Sequence, residues 1–275
     1  MSGRGALRTL ALCADDFGAS PGTSRAISAL AGRERLQAVS CLATHAHWAE
    51  AAPSTRHWPA SVDVGLHFNL SEGAPLAPAL RARWPVFPSL PKLIALAHLR
   101  RLPLAAIEAE LRAQLDAFAA ARGAPPDFID GHQHVHALPG VRRLVLDAAA
   151  ALGPRTAVRN TGRLPGPGNA VKRWLIAHTG GAALRRALVR RGLPHNAALL
   201  GVYDFADADY AALMRSWLAA VPPEGALLFC HPGAADAPGD AIAEARPREA
   251  AYLAGDGFAA DLRAAGVVLG RVWQR

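Results

Sequence analysis

Short apolar runs alternate along this chain with longer Ala/Leu/Arg segments whose apolar positions recur at helical spacing. The runs predict strands at Leu7–Ala14, Ala38–Thr44, Val62–Leu70, Phe128–His134, Thr156–Asn160, Ala198–Tyr203, Ala226–His231 and Val267–Trp273. The segments between them predict helices over 21–32, 105–122, 139–152, 169–191, 207–220 and 246–265. In the second of these, Leu104, Ile107, Leu111, Leu115 and Phe118 fall at spacings of three and four and give one apolar face. Repeated strand-helix units argue for a parallel sheet or barrel. The fold class expected is α/β, a modified TIM-like (β/α) barrel of seven or eight strands in one domain over residues 1–275. The Pro-rich stretch 75–91 and the Pro/Gly stretch 162–169 read as long loops.

The chain has 275 residues, 51% of them hydrophobic, which excludes disorder and allows a substantial core. Three unclustered cysteines, Cys13, Cys41 and Cys230, exclude a disulfide scaffold. The apolar run Thr9–Ala14 is cut short by Asp15 and Asp16, so it reads as a buried strand rather than as the core of a secretion signal. These features place the protein in a reducing cytoplasm. The net charge of +8 raises nucleic acid as a partner. Yet the charge is nearly all arginine and is spread along the chain without a basic-aromatic stacking motif, which argues against that partner.

The polar residues gather where strands end. Asp15 and Asp16 follow the first run, His67 the third, Asp130-Gly-His-Gln-His-Val-His136 the fourth, Arg159 the fifth and His231 the seventh. In a parallel barrel the C-terminal ends of all strands open onto one face, so these residues converge there. Asp15 or Asp16 alone reads as a helix cap, but two adjacent carboxylates beside an apolar strand point to a cation. If the strand continues through it, His-x-His-x-His puts His132, His134 and His136 on one face. His67 alone, between Leu66 and Phe68, reads as a hydrogen-bonded core residue. His45 and His47 have ligand spacing and read as supporting or substrate-loop residues, whereas Cys13 and Cys41 read as small core residues. An Asp-His-His set with an open position suits one divalent metal that activates water, with a second carboxylate to take the proton and a histidine opposite to protonate the leaving group. A serine-nucleophile elbow and a Gly-rich phosphate loop are both missing from the sequence.

In order and spacing, Ala14-Asp-Asp-Phe-Gly18, Gly65-Leu-His-Phe-Asn-Leu-Ser-Glu-Gly-Ala-Pro75, Asp130-Gly-His-Gln-His-Val-His136 and Cys230-His-Pro-Gly233 resemble the YdjC-like carbohydrate deacetylases, which include chitooligosaccharide deacetylases and hopanoid-biosynthesis-associated relatives. The resemblance implies a metal-dependent hydrolysis of the N-acetyl group of an amino sugar, chitooligosaccharide-like or lipid-linked, with release of acetate. Carried over by position, it implies Asp16, His67 and His132 as ligands of one divalent ion (Mg2+ or Zn2+) and Asp15 as general base. It further implies His231 as the acid or as a stabiliser of the intermediate, Arg159 as the group that keeps the base ionised, and Asp130 as the orienter of a ligand histidine. Competing readings are another mononuclear metal hydrolase, a phosphoesterase or esterase, and a non-catalytic carbohydrate- or lipid-binding protein on the same barrel. The basic helix ending at Arg191 reads first as a solvated outer helix and second as a dock for an anionic membrane surface. Trp48 and Trp84 read equally as packing residues or as platforms for sugar rings. A homodimer is left open.

Overall fold

Each predicted run has a strand in the computed structural model, which describes residues 7–206 and 209–274. In chain order these are β1 (Arg8–Phe17), β2 (Ala38–Cys41), β3 (Asp63–Phe68), β4 (Phe128–Gly131), β5 (Ala157–Val158), β6 (His195–Asn196), β7 (Leu199–Leu200), β8 (Ala226–Cys230), β9 (Val267–Leu269) and β10 (Trp273–Gln274). The main sheet runs β5-β4-β3-β2-β1-β8-β7, and β9 is its eighth strand. Every pair in it is parallel. Along one edge of β1, β9 pairs with Arg8 to Leu10 and β2 with Cys13 to Phe17. The sheet curls into a partly closed barrel with helices outside, as expected for a single α/β domain.

Period-two alternation sorts the strand residues into two sets. Leu10, Leu12 and Ala14 of β1 belong to the cluster that packs against the helices. Ala11 and Cys13 join Ala38, Phe128, Ala157, Leu199, Leu227 and Phe229 in a second cluster that fills the barrel interior. Gly65 of β3 yields to Phe128, whose ring atoms lie 2.5 Å from where a Cβ would sit. At the seam between β5 and the β6–β7 segment, a pair of buried asparagines reinforces two isolated backbone bonds, Val158 N–H to the Pro194 carbonyl and Leu199 N–H to the Arg163 carbonyl, both 2.9 Å. Asn160 N–H donates to Asn196 Oδ1 (2.7 Å), Asn160 Nδ2 to the Asn196 carbonyl (3.1 Å), and Asn196 Nδ2 to the Asn160 carbonyl (3.0 Å).

The helices follow their sequence signals with three differences. Ser20 caps the helix Pro21–Gly32 by accepting from Thr23 N, with proline at the first position. The expected helix 169–191 is interrupted by a π-turn over Ala177–Gly181, where a Cβ on Gly180 would lie 2.1 Å from the Ala137 carbonyl oxygen. The expected helix 246–265 is two helices, Ala245–Ala254 and Asp256–Ala265, broken at extended Gly255. The stretch read as a loop over 75–91 contains the helix Pro78–Arg81 and the start of Leu90–His98. The start of the helix expected over 207–220 lies outside the described residues, and the helix seen there is Tyr210–Ala219.

Candidate metal-centred active site

The polar residues at the strand ends continue the barrel's interior rows. Ala11 and Cys13 lead to Asp15, Ala38 to Ser40, Gly65 to His67, Phe128 to Asp130, Ala157 to Arg159, and Leu227 and Phe229 to His231. Apolar side chains thus fill the lower barrel, and the next layer up is polar. Asp16 breaks this parity. Between Ala14↔Val39 and Phe17↔Cys41, β1 carries one residue more than β2, and Asp16 has φ 68°. This β-bulge re-aims the chain so that adjacent carboxylates both line the same pocket. Aspartate tolerates the left-handed backbone better than most side chains.

The pocket, about 940 Å³, opens at the C-terminal ends of the strands and includes Asp15, Asp16, His67, His132 and His231. Asp16 Oδ1 lies 3.5 Å from His67 Nε2 and 3.4 Å from His132 Nδ1. It is buried and makes no hydrogen bond. One donor atom from each of the three residues lies within 4.8 Å of the others. Burial works against ionised Asp16, but the nearby His132 ring and the charge of Arg246 hold it well below the usual carboxylate range. Burial likewise works against charged His132, yet the carboxylates of Asp16 and Glu72 beside it raise it to about 10. The cluster therefore attracts positive charge, and an orphaned carboxylate oxygen beside two imidazole nitrogens fits a divalent cation.

Both histidines have a carboxylate on the other ring nitrogen. His67 Nδ1 lies 2.7 Å from Asp130 Oδ1 and 3.0 Å from Ser40 Oγ. His132 Nε2 lies 3.0 Å from Glu72 Oε2, whose partner oxygen faces His45 Nε2 at 3.4 Å. Such contacts fix the ring and raise its strength as a ligand. Arg246, from the helix Ala245–Ala254, donates to Asp16 Oδ2 (2.9 Å) and to Asp240 Oδ2 (2.5 Å), leaving Asp16 Oδ1 to face the histidines.

Fully buried Arg159 holds Asp15 with both terminal nitrogens, Nη1 to Oδ2 at 2.7 Å and Nη2 to Oδ1 at 2.6 Å. Nη2 also pairs with Asp130 Oδ2 at 2.5 Å. A second donor cluster, Cys13, Asp15 and Asp130, is thus filled by a guanidinium. The ring of His231 stands edge-on to Phe205 (5.1 Å) and Phe229 (5.6 Å), and its Nδ1 makes no hydrogen bond. Burial pushes it down to about 4, so it is neutral at pH 7.

The shared face expected for His132, His134 and His136 does not form. β4 ends at Gly131, and the chain turns sharply through left-handed Gln133 (φ 52°) and His134 (φ 63°). Only His132 of the three joins Asp16 and His67. His134 packs edge-on against Phe229, and buried His136 donates from Nε2 to the Arg159 carbonyl. The sugar-platform reading of Trp48 also fails, because that ring is buried and stacked on Phe118 at 5.1 Å. Glu72, Arg246 and Glu249 also support this site, and the sequence pattern singles out none of the three. Glu72 lies inside the Gly65–Pro75 motif, which is the available signal, whereas nothing local marks the other two.

Opposite the polar cluster the pocket is apolar, with Leu90, Ile94, Leu138, Leu175 and Ile176, and Lys172 Nζ lies 4.4 Å over the Phe205 ring. On the adjoining helix Ala170–Ile176, Val171 and Trp174 are exposed. Among the described residues no helix is long and apolar enough to cross a membrane.

A family model described as YdjC-like protein matches residues 9–264. The chain is 36% identical over 154 residues to the carbohydrate deacetylase of Homo sapiens, covering 53% of this chain and 46% of that protein. It is 34% identical over 143 residues to the chitooligosaccharide deacetylase of Proteus mirabilis, covering 50% and 53%. The matched stretches thus span about half the length of these curated relatives. A solved structure from Enterococcus faecalis V583, provisionally described as a cellobiose-phosphate cleavage protein, superposes with TM-score 0.75 at 20% identity, covering 97% of this chain and 98% of that one.

Proposed function

The chain belongs to the YdjC-like family, and from that premise we propose that it is a metal-dependent deacetylase that hydrolyses the N-acetyl group of an amino sugar and releases acetate. One observation carries the reading: unpartnered Asp16 Oδ1 faces His67 and His132, and a second ionisable carboxylate, Asp15, lines the same pocket. Asp16, His67 and His132 would hold one divalent ion, Mg2+ or Zn2+, and two imidazoles favour zinc. When bound, such an ion polarises a carbonyl and makes water more acidic.

The protein's own groups supply the rest. Asp15 accepts the proton of the attacking water, and Arg159 holds its carboxylate by two parallel contacts. Asp130 keeps the proton of His67 on Nδ1 and leaves Nε2 free toward Asp16. His231, neutral at pH 7, would pass to the departing amine nitrogen a proton taken up during the reaction from the attacking water, and its low proton affinity makes that charged form a strong acid. The apolar wall of Leu90, Ile94, Leu175 and Ile176, continuous with exposed Val171 and Trp174, supports a lipid-linked rather than a free oligosaccharide substrate.

The test measures acetate release from N-acetylglucosamine oligomers and lipid-linked N-acetyl amino sugars, after EDTA and after zinc or magnesium is restored. Metal-restored release from one class is the expected result. Asp15→Asn should keep its metal and lose turnover by about 10²- to 10⁴-fold, while His132→Ala should lose both. Unchanged metal content in His132→Ala overturns the ligand set, and phosphate-ester turnover without acetate release overturns the reaction.

A further inference from the structure

Glu249 is a buried carboxyl group that the mechanism above leaves unused. It projects from the helix Ala245–Ala254 and accepts three hydrogen bonds from three parts of the chain. Tyr203 Oη, just past β7, donates to Oε1 at 2.5 Å, and Tyr210 Oη, from the helix Tyr210–Ala219, donates to Oε2 at 3.4 Å. The backbone N–H of His231, at the end of β8, donates to Oε2 at 2.6 Å. No lysine or arginine among the described residues forms an ion pair with it. A buried carboxyl group without a paired cation is costly, so its position calls for a reason beyond packing.

That reason lies in how His231 is held. The imidazole Nδ1 has no hydrogen-bond partner, and the ring rests edge-on against Phe205 and Phe229. Tyr203, anchored on Glu249, packs in turn on Phe205 at 4.6 Å. Glu249 thus holds the His231 main chain directly and one wall of its ring contact through Tyr203. We propose that Glu249 is a positioning residue that fixes His231 against the departing amine. The proposal rests on the reading of His231 as proton donor. A glutamine would keep most of the geometry, since its oxygen can accept from His231 N–H and the Tyr203 hydroxyl can turn to accept from its amide. An alanine would release all three donors.

The experiment compares metal-loaded wild type, Glu249→Ala, Glu249→Gln and His231→Ala on an N-acetyl amino sugar and on an aryl acetate, whose leaving group departs without protonation. Glu249→Ala should lower kcat on the amide on the order of 10- to 100-fold, lose far less on the ester, and retain its metal. His231→Ala should show the same bias, and Glu249→Gln should recover most of the loss. A purely structural role would lower amide and ester turnover equally, and that result overturns the proposal. Proton–nitrogen NMR correlations of the histidine rings give a readout free of turnover. The His231 signal, assigned through His231→Ala, should move in Glu249→Ala and return in Glu249→Gln, and an unmoved signal overturns the proposal. If the alanine variant does not fold, Tyr203→Phe should move the same signal by less, and no movement has the same consequence. Failure of the deacetylase reading is separately visible as wild type releasing no acetate from any amide.

Discussion

Asp16 and Glu249 are both buried carboxyl groups, and their surroundings pull them in opposite directions. Arg246 and His132 hold Asp16 ionised against the cost of burial. Burial dominates at Glu249 and pushes it up to about 7 despite its hydrogen bonds with Tyr203, His231 N–H and Tyr210. The ordinary value is 4.5. Below about pH 4.5 the group is protonated in folded and unfolded chains alike, so it brings no ionisation penalty. As pH rises toward about 7 the unfolded chain ionises first, and stability falls. The loss is complete above the folded value and amounts to about 3 kcal/mol. Urea unfolding at pH 5 and pH 8 should therefore show a larger drop for wild type than for Glu249→Gln, the difference isolating this group from the other titrating ones. An equal drop in both proteins would show that Glu249 does not titrate in that window.

At the scale of elements, the turn after β4 decides which histidine enters the site. A Cβ on Gly131 would lie 2.8 Å from His136 N and 2.9 Å from His136 Nδ1. Gly131 has ordinary extended φ (−156°), so the need for glycine is one of space rather than of backbone angle. Gly131→Ala should push the turn 132–137 outward, destabilise the protein by about 1–3 kcal/mol, and cut metal content at limiting zinc. Full metal content in a folded Gly131→Ala protein would refute this. The central strands were legible because each is a short apolar run buried on both faces. The interior rows were legible too, since period two carries Cys13 on to Asp15 and Phe229 on to His231. Two left-handed residues in Gln133–His134 and the bulge at Asp16 were not, because backbone reversals there are set by tertiary contacts rather than by glycine. The helices over 78–81 and 90–98 were hidden by prolines read as loop punctuation, although proline starts helices readily in their first turn. Leu90, Leu93, Ile94 and Ala97 carried the helical spacing all the same. Arg246 and Glu249 lie on a helix after the last strand-end motif, and only folding brings them beneath Asp16 and His231.

In the whole molecule, polarity is layered along the barrel axis rather than scattered. Apolar side chains plug the lower barrel, the charged layer sits above them, and the pocket mouth turns apolar again on the side of the helix Ala170–Ile176. The positive charge gathers nowhere in the pocket beyond Arg246 and Lys172, in keeping with the diffuse arginine pattern of the sequence. Arg159 joins the layer laterally, reaching from the end of β5 to Asp15 on β1 and Asp130 on β4. Asn160 follows it directly and makes the seam to Asn196. Asn196→Ala removes the side chain that both accepts from and donates to Asn160. It should speed backbone hydrogen exchange in β5 and β6 well beyond any change in β1 or β8, and uniform acceleration across all strands would contradict a local role.

The seam is in effect a clasp on a split ring. Two amide side chains and two isolated backbone bonds do there what a run of backbone pairs does between the other strands, so parting the ring at that point would break no strand ladder. Parting would loosen Arg159 first, and with it the grip on Asp15 and Asp130 together. A loss of shape at the rim of this barrel would therefore be felt as a loss of charge balance at its centre.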